Sequence, residues 1–181
     1  MKNSLFNLKA IAKLGILCAI SIVLVYFIRF PIFPAVSFLE YDPADISILI
    51  GTFTFGPIAG LVLTVIVSLI QGVTVSAGSG LYGIIMHIIA TGTLSLVSGL
   101  IYKKKKTKSR AAIALGAGTL AMTLVMFFAN LVITPMFMGG VSVETVLGLM
   151  PFILGFNIIK AGINSVLTFF LYKRISNFIR K

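Results

Sequence analysis

Three clusters of basic residues, each set at the end of a long apolar run, constrain this chain more than any motif in it. They are Lys2, Lys9 and Lys13; Lys103 to Lys106 with Lys108 and Arg110; and Lys173, Arg174, Arg180 and Lys181. The runs between them exceed what a soluble domain could bury, since 59% of the 181 residues are hydrophobic, 10% are charged and mean hydropathy is +1.12. The chain reads as an all-α integral membrane protein. In a soluble protein a net charge of +11 would suggest nucleic acid. At the ends of spans the same residues are topology signals, and no nucleic-acid partner is expected. Cys18 is single and lies in an apolar run, so it indicates neither a disulfide nor a metal.

The apolar runs predict six helices at about 8–29, 44–55, 57–73, 81–102, 111–134 and 145–172, in one transmembrane domain spanning 1–181. The first run imitates a signal peptide. It lacks a small-residue cleavage site and continues through Arg29 into a proline-rich loop, so it is read as a retained helix starting near Leu8. The run from Ala44 to about Val75 is too long for one crossing of a roughly 30 Å hydrocarbon core at about 1.5 Å per residue, and Phe55-Gly56-Pro57 breaks it. Placing all three basic clusters on one side requires an even number of crossings between the first two, so the broken run must cross twice. Both termini are therefore expected in the cytoplasm. The half Ala44 to Phe55 is short for a crossing and needs tilt, loop shielding or local thinning.

The loop and helix start FPIFPAVSFLEYDPADI, Phe30 to Ile46, holds three of the four acidic residues of the chain. Pro31, Pro34 and Pro43 stiffen it. Its apolar residues Phe33, Val36, Phe38, Leu39 and Tyr41 must cover either a ligand or the top of the bundle, and the sequence leaves both open. The outer segments Phe30 to Pro43, Thr74 to Gly80 and Pro135 to Glu144 contain no Lys or Arg, so an outward-facing site would be lined by them. Within the spans, Asn157, Lys160 and Asn164 fall at i, i+3 and i+7 on one helical face. A lone lysine in hydrocarbon costs about 2.5 to 3.5 kcal/mol, and Asp45, at a helix start, is the acid placed to pair with it. Asn130 on the fifth helix can face Asn157 at similar depth. These groups either surround a cavity or bond between helices, with Lys160 snorkelling outward. His87, near Tyr82, Met86 and Thr91, has no metal-ligand neighbours and is either a hydrogen-bonded packing residue or a ligand contact. There is no paired carboxylate set, no activated nucleophile and no phosphate-binding glycine loop, so the chain is not expected to be an enzyme. Uphill transport would draw energy from another subunit or an ion gradient.

The proline loop followed by FGPIAG, the run MHIIATGTL, and Asn130 with NIIKAGIN together resemble the riboflavin-specific substrate-binding component of energy-coupling factor (ECF) vitamin transporters, over essentially the whole chain. The resemblance implies a six-helix S component of the bacterial cell membrane that binds riboflavin near the outer surface, between the first outer loop and helices four to six. The flavin is then cargo and no cofactor is expected. Asn130, Asn157 and Lys160 supply donors and acceptors to its polar edge, and Phe38, Leu39, Tyr41 and Met86 can cover its apolar faces. Glu40, His87 and Asn164 complete the expected substrate-binding set. The expected partners are a membrane coupling subunit, two cytoplasmic ATPases and the bilayer. The small residues Ala12, Gly15 and Ala19 of helix one would dock on the coupling subunit, with Gly15 where the family usually has alanine. An FMN-like anion would instead give Lys160 a phosphate partner.

Overall fold

The computed structural model describes residues 8–180; Lys2 and Lys181 of the basic clusters lie outside them. Six helices run in the order α1 (Leu8–Phe27), α2 (Ala44–Phe55), α3 (Pro57–Val73), α4 (Gly80–Lys104), α5 (Lys108–Phe137) and α6 (Val143–Arg180). Of these, α1, α4, α5 and α6 are long and apolar enough to cross a membrane, while α2 and α3 are shorter. The chain is a multi-pass membrane protein.

The shortness of α2 has a structural solution. Every residue from Ala44 to Thr54 is buried, with α1, α3, α4 and α6 packed around the helix. A helix apolar on all sides belongs inside a bundle, and one enclosed by protein need not match the bilayer thickness. Its two threonines are satisfied locally, Thr52 donating to the Ile48 carbonyl at 2.8 Å and Thr54 to that of Ile50 at 2.7 Å. Gly56 separates α2 from α3 with φ +105°, a conformation that favours glycine, and Pro57 opens α3 where a missing N–H costs nothing.

Helices α4 and α5 approach closely at Gly118, where a Cβ would lie 3.0 Å from the Leu94 carbonyl and collide with Ser98. α5 and α6 extend furthest beyond the sequence expectation. The last turn of α5 includes Pro135, and the chain then reverses through Gly139 and Gly140, both at positive φ. α6 continues past Tyr172 because its Lys173 and Arg174 are good helix formers that remain solvated.

The two ends of the bundle differ. At the end carrying Lys103, Lys104 and Lys173, the rings of Phe53 and Tyr102 stack at 4.2 Å, and Tyr172 meets them edge-on at 5.3 and 5.7 Å. At the other end lies the loop of residues 28–43. Its strands β1 (Phe30–Pro31) and β2 (Glu40–Tyr41) pair antiparallel, Phe30 with Tyr41 and Pro31 with Glu40. A 3-10 turn at Pro34–Val36 lies between them. Val36 is fully buried with Val146, Met150 and Ile153 of α6, and Phe33 packs edge-on against Phe152 at 5.8 Å. The apolar residues of the loop divide into two groups. Phe33 and Val36 plug the end of the bundle, while Phe38 and Leu39 face an internal cavity.

Candidate functional site

The cavity lies beneath this loop, between α3, α4, α5 and α6, with about 950 Å³ of atom-free space including its open mouth. Much of its lining is apolar, with Met86 and Ala90 from α4, Met122 and Met126 from α5, and Phe156 from α6. Polar groups are concentrated at Asn157 and Lys160 of α6 with Thr134 of α5, at Ser68 and Gln71 of α3, and at the mouth. There Arg29 Nε pairs with Glu40 at 3.1 Å and an Arg29 guanidinium N–H donates to Ser76 Oγ at 3.3 Å, joining the loop to the α3–α4 connection.

Beside the cavity a buried polar network fixes the loop and α2 to α6. Lys160 Nζ donates to Asp42 Oδ2 at 2.6 Å, both side chains being less than a tenth exposed. The ammonium's partner is thus Asp42 of the loop and not Asp45. The reason is geometric: Asp42 Oδ1 accepts from the Ala44 N–H at 3.1 Å, which fixes the carboxylate at the start of α2 facing α6. Burial raises the pKa of Asp42, but the Lys160 ammonium and the Ala44 N–H outweigh burial and hold it below the usual carboxylate range. Asp45 is fully buried and accepts from Thr91 Oγ1 at 2.7 Å and Asn164 Nδ2 at 2.9 Å. Asn164 Nδ2 also donates to the Asp42 carbonyl at 3.0 Å, and its Oδ1 accepts from the Tyr41 hydroxyl at 3.0 Å. His87 lines the cavity, with Nδ1 2.7 Å from Ser68 Oγ and Nε2 3.8 Å from Asp45. Ser68 donates its hydrogen to the Thr64 carbonyl at 2.6 Å. Its oxygen is then left to accept, which places a proton on His87 Nδ1.

Of the residues expected at the site, Phe38, Leu39, Glu40, Met86, His87, Asn157 and Lys160 line the cavity together. Tyr41 and Asn164 stand behind the wall, committed to each other. Asn130 also stands back: fully buried, it donates to the Met126 carbonyl at 2.7 Å and accepts from Thr134 Oγ1 at 2.8 Å, and Thr134 is the residue on the wall. Sequence reasoning missed Arg29, Asp42, Gln71 and Thr134. A signal existed for Asp42, since three acids sit in one short segment of a chain with a single deeply placed lysine. No comparable pattern marked Gln71 or Thr134. Ala12, Gly15 and Ala19 are exposed along α1, away from the cavity.

The model of the family described as ECF transporter, substrate-specific component, matches residues 9–172. The chain is 31% identical over 183 residues to the riboflavin transporter RibU of Staphylococcus aureus (strain TCH60), covering 96% of this chain and 93% of that relative. It is 28% identical over 129 residues to the riboflavin transporter FmnP of Bacillus subtilis (strain 168), covering 70% of this chain and 67% of the relative. Among solved structures it matches the S component of a bacterial ECF transporter with TM-score 0.80 and 30% identity, over 94% of this chain and 97% of the other. It also matches FolT bound with folic acid, with TM-score 0.63 and 21% identity over 93% and 95%, a likeness of fold alone. The chain belongs to the substrate-specific components of ECF transporters, as a multi-pass protein of the bacterial membrane.

Proposed function

We propose that this chain is the riboflavin-binding subunit of a vitamin uptake transporter, receiving the flavin beneath the loop of residues 28–43 and delivering it inward while partner subunits hydrolyse ATP. One observation carries the reading: the cavity combines an apolar lining of Met86, Ala90, Met122, Met126 and Phe156 with the polar groups of Thr134, Asn157 and Lys160. An isoalloxazine has this division, being a flat aromatic body with two carbonyls and an imide N–H along one edge. Asn157 spends one amide hydrogen on the Ile153 carbonyl at 2.8 Å. Its second N–H serves a flavin carbonyl and its oxygen serves the imide. Lys160 gives one hydrogen to Asp42 and has two for carbonyl oxygen. Phe38 and Leu39 cover the ring from the loop, and Glu40 with Arg29 closes the mouth. Tyr41, Asn130 and Asn164 act by holding these groups in place. Two relatives named as riboflavin transporters support the ligand. Lys160 is already neutralised by Asp42, so the patch suits the uncharged imide edge of the ring.

The remaining assignments follow the family and the positive-inside pattern. The end bearing the lysines and both termini faces the cytoplasm, and the loop of residues 28–43 faces outward. ATP hydrolysis is assigned to two partner subunits, as the family implies. The exposed strip of Ala12, Gly15 and Ala19 receives the membrane coupling subunit. The packed rings of Phe53, Tyr102 and Tyr172 stand at the lysine-bearing end of the bundle, which favours delivery by reorientation of the whole body over passage through it.

Titration of the detergent-purified protein with riboflavin, followed by quenching of flavin fluorescence, tests the ligand. Tight saturable quenching by wild type is expected, weakened at least about tenfold in Asn157→Ala and Lys160→Ala if each loses one or two hydrogen bonds. Absence of quenching by folded wild type would sink the flavin assignment.

A further inference from the structure

Besides the Lys160–Asp42 pair, the polar network holds a second carboxylate, and its charge has no fixed partner. Asp45 is fully buried, and among the described residues the one basic side chain within 4.0 Å of it is His87, with Nε2 3.8 Å from Oδ1. Thr91 joins the two, its Oγ1 lying 2.7 Å from Asp45 Oδ1 and 3.3 Å from His87 Nε2. The hydrogens along this line can be counted. Ser68 gives its own to the Thr64 carbonyl, so His87 Nδ1 carries one. Asn164 Nδ2 donates to Asp45 Oδ2, which leaves Oδ1 as the oxygen that faces Thr91. Thr91 has one hydroxyl hydrogen for two neighbours. If that hydrogen goes to Oδ1, then Nε2 faces a lone pair unless it carries a hydrogen itself. If it goes to Nε2, then Oδ1 faces a lone pair unless the carboxyl is protonated. Either way the line closes only with one hydrogen more than an ionised Asp45 and a neutral His87 supply.

We propose that Asp45 and His87, joined through Thr91, form a proton-binding site that holds one proton at neutral pH. The proton belongs to the pair and not to either residue. Its two positions interconvert by a paired transfer: the carboxyl hydrogen passes from Oδ1 to Thr91 Oγ1 as the hydroxyl hydrogen passes to Nε2, turning Asp45 into a carboxylate and His87 into an imidazolium with no proton gained or lost. The other charged groups that act on the ring, Asp42 of the loop and Lys160 of α6, are paired with each other. Arg29 and Glu40 are paired at the mouth, and α3 and α5 bring no ionisable side chain to the cavity. With its proton in place the buried network is neutral as a whole, which removes the cost of an uncompensated internal carboxylate. His87 is the member that lines the cavity, so the position of the proton decides whether a ligand meets a neutral ring or a cation. The site does not depend on which ligand the cavity takes.

His87 is the single histidine of the chain, and Asp42 and Asp45 are its two aspartates. Magnetic resonance of the detergent-purified, ligand-free protein at neutral pH, with the histidine ring nitrogens and the aspartate carboxyl carbons isotopically labelled, therefore reads both ends of the line. Asp45→Asn assigns the Asp45 signal by removing it, and Asp42→Glu, which keeps the charge beside Lys160, assigns it by elimination if the first variant does not fold. Nδ1 should be protonated, together with one further proton: a protonated Asp45 beside a bare Nε2, an ionised Asp45 beside a protonated Nε2, or, under rapid exchange, fractions of the two that sum to one. A neutral ring beside an ionised Asp45, an imidazolium beside a protonated Asp45, or an Nδ1 without hydrogen overturns the site.

Discussion

Lys160 is the residue on which the sequence and the structure meet most directly. Its place on a face with Asn157 and Asn164 is readable from helical spacing alone, and so is its need for a partner. The identity of that partner is not, because Asp42 lies 118 positions away and reaches Lys160 only once the loop is folded onto α6. Removing one member of a buried ion pair leaves the other uncompensated, at a cost of about 3–5 kcal/mol, whereas replacing both with apolar residues is often neutral. Asp42→Ala should therefore lower the thermal midpoint in detergent markedly, and the double variant Asp42→Leu/Lys160→Met should recover most of it. Equal melting of the two would mean that the pair does not hold the loop. The same carboxylate gives a pH signature. Its folded pKa lies below its ordinary value of 3.8, so its contribution is present above that value and is lost as pH falls through the depressed one. Stability measured against pH should fall in that acid range in wild type by more than in Asp42→Asn, whose side chain does not titrate.

At the scale of elements, the legible features were those with a local cause. Gly56-Pro57 marks a break because one residue favours a backbone that others resist and the other lacks an N–H. The proline-rich loop is non-helical for the same kind of reason, although its small β pairing and its division between plug and cavity roof depend on α6 and were not readable. The enclosure of α2 was also hidden: its twelve residues look like a deficient membrane span until α1, α3, α4 and α6 are placed around it. Close approach of helices is another tertiary property that glycine content alone does not reveal. Gly118 abuts the Leu94 carbonyl, whereas a Cβ on Gly116, two positions earlier in the same helix, would meet nothing within 4 Å. Gly118→Val should destabilise the bundle by about 1–3 kcal/mol through overpacking. Gly116→Val should leave the thermal midpoint nearly unchanged, and matching losses in the two would place the effect in helix propensity instead.

For the molecule as a whole, the proposed binding and docking surfaces occupy separate regions. The cavity is formed by α3 to α6 and the loop, while the small-residue strip lies on the exposed side of α1. Gly15→Phe, at a site with open space around it, should leave riboflavin titrations unaltered and abolish uptake by cells carrying the full transporter. Lost binding would place α1 in the ligand site, and normal uptake would remove it from the coupling interface. The membrane class and the polar helix face were legible in the sequence because each follows from residue type and period. The cavity was only partly so: Asn157 and Lys160 face it, but Asn130 and Asn164 spend their amides on neighbouring protein groups, a distinction that spacing does not make. The stacked rings of Phe53 and Tyr102, with Tyr172 edge-on, have a consequence of another kind. Aromatic carbon packed at that end gives protons and sodium ions few polar partners, so idle copies of the protein are expected to leave the membrane voltage undrained.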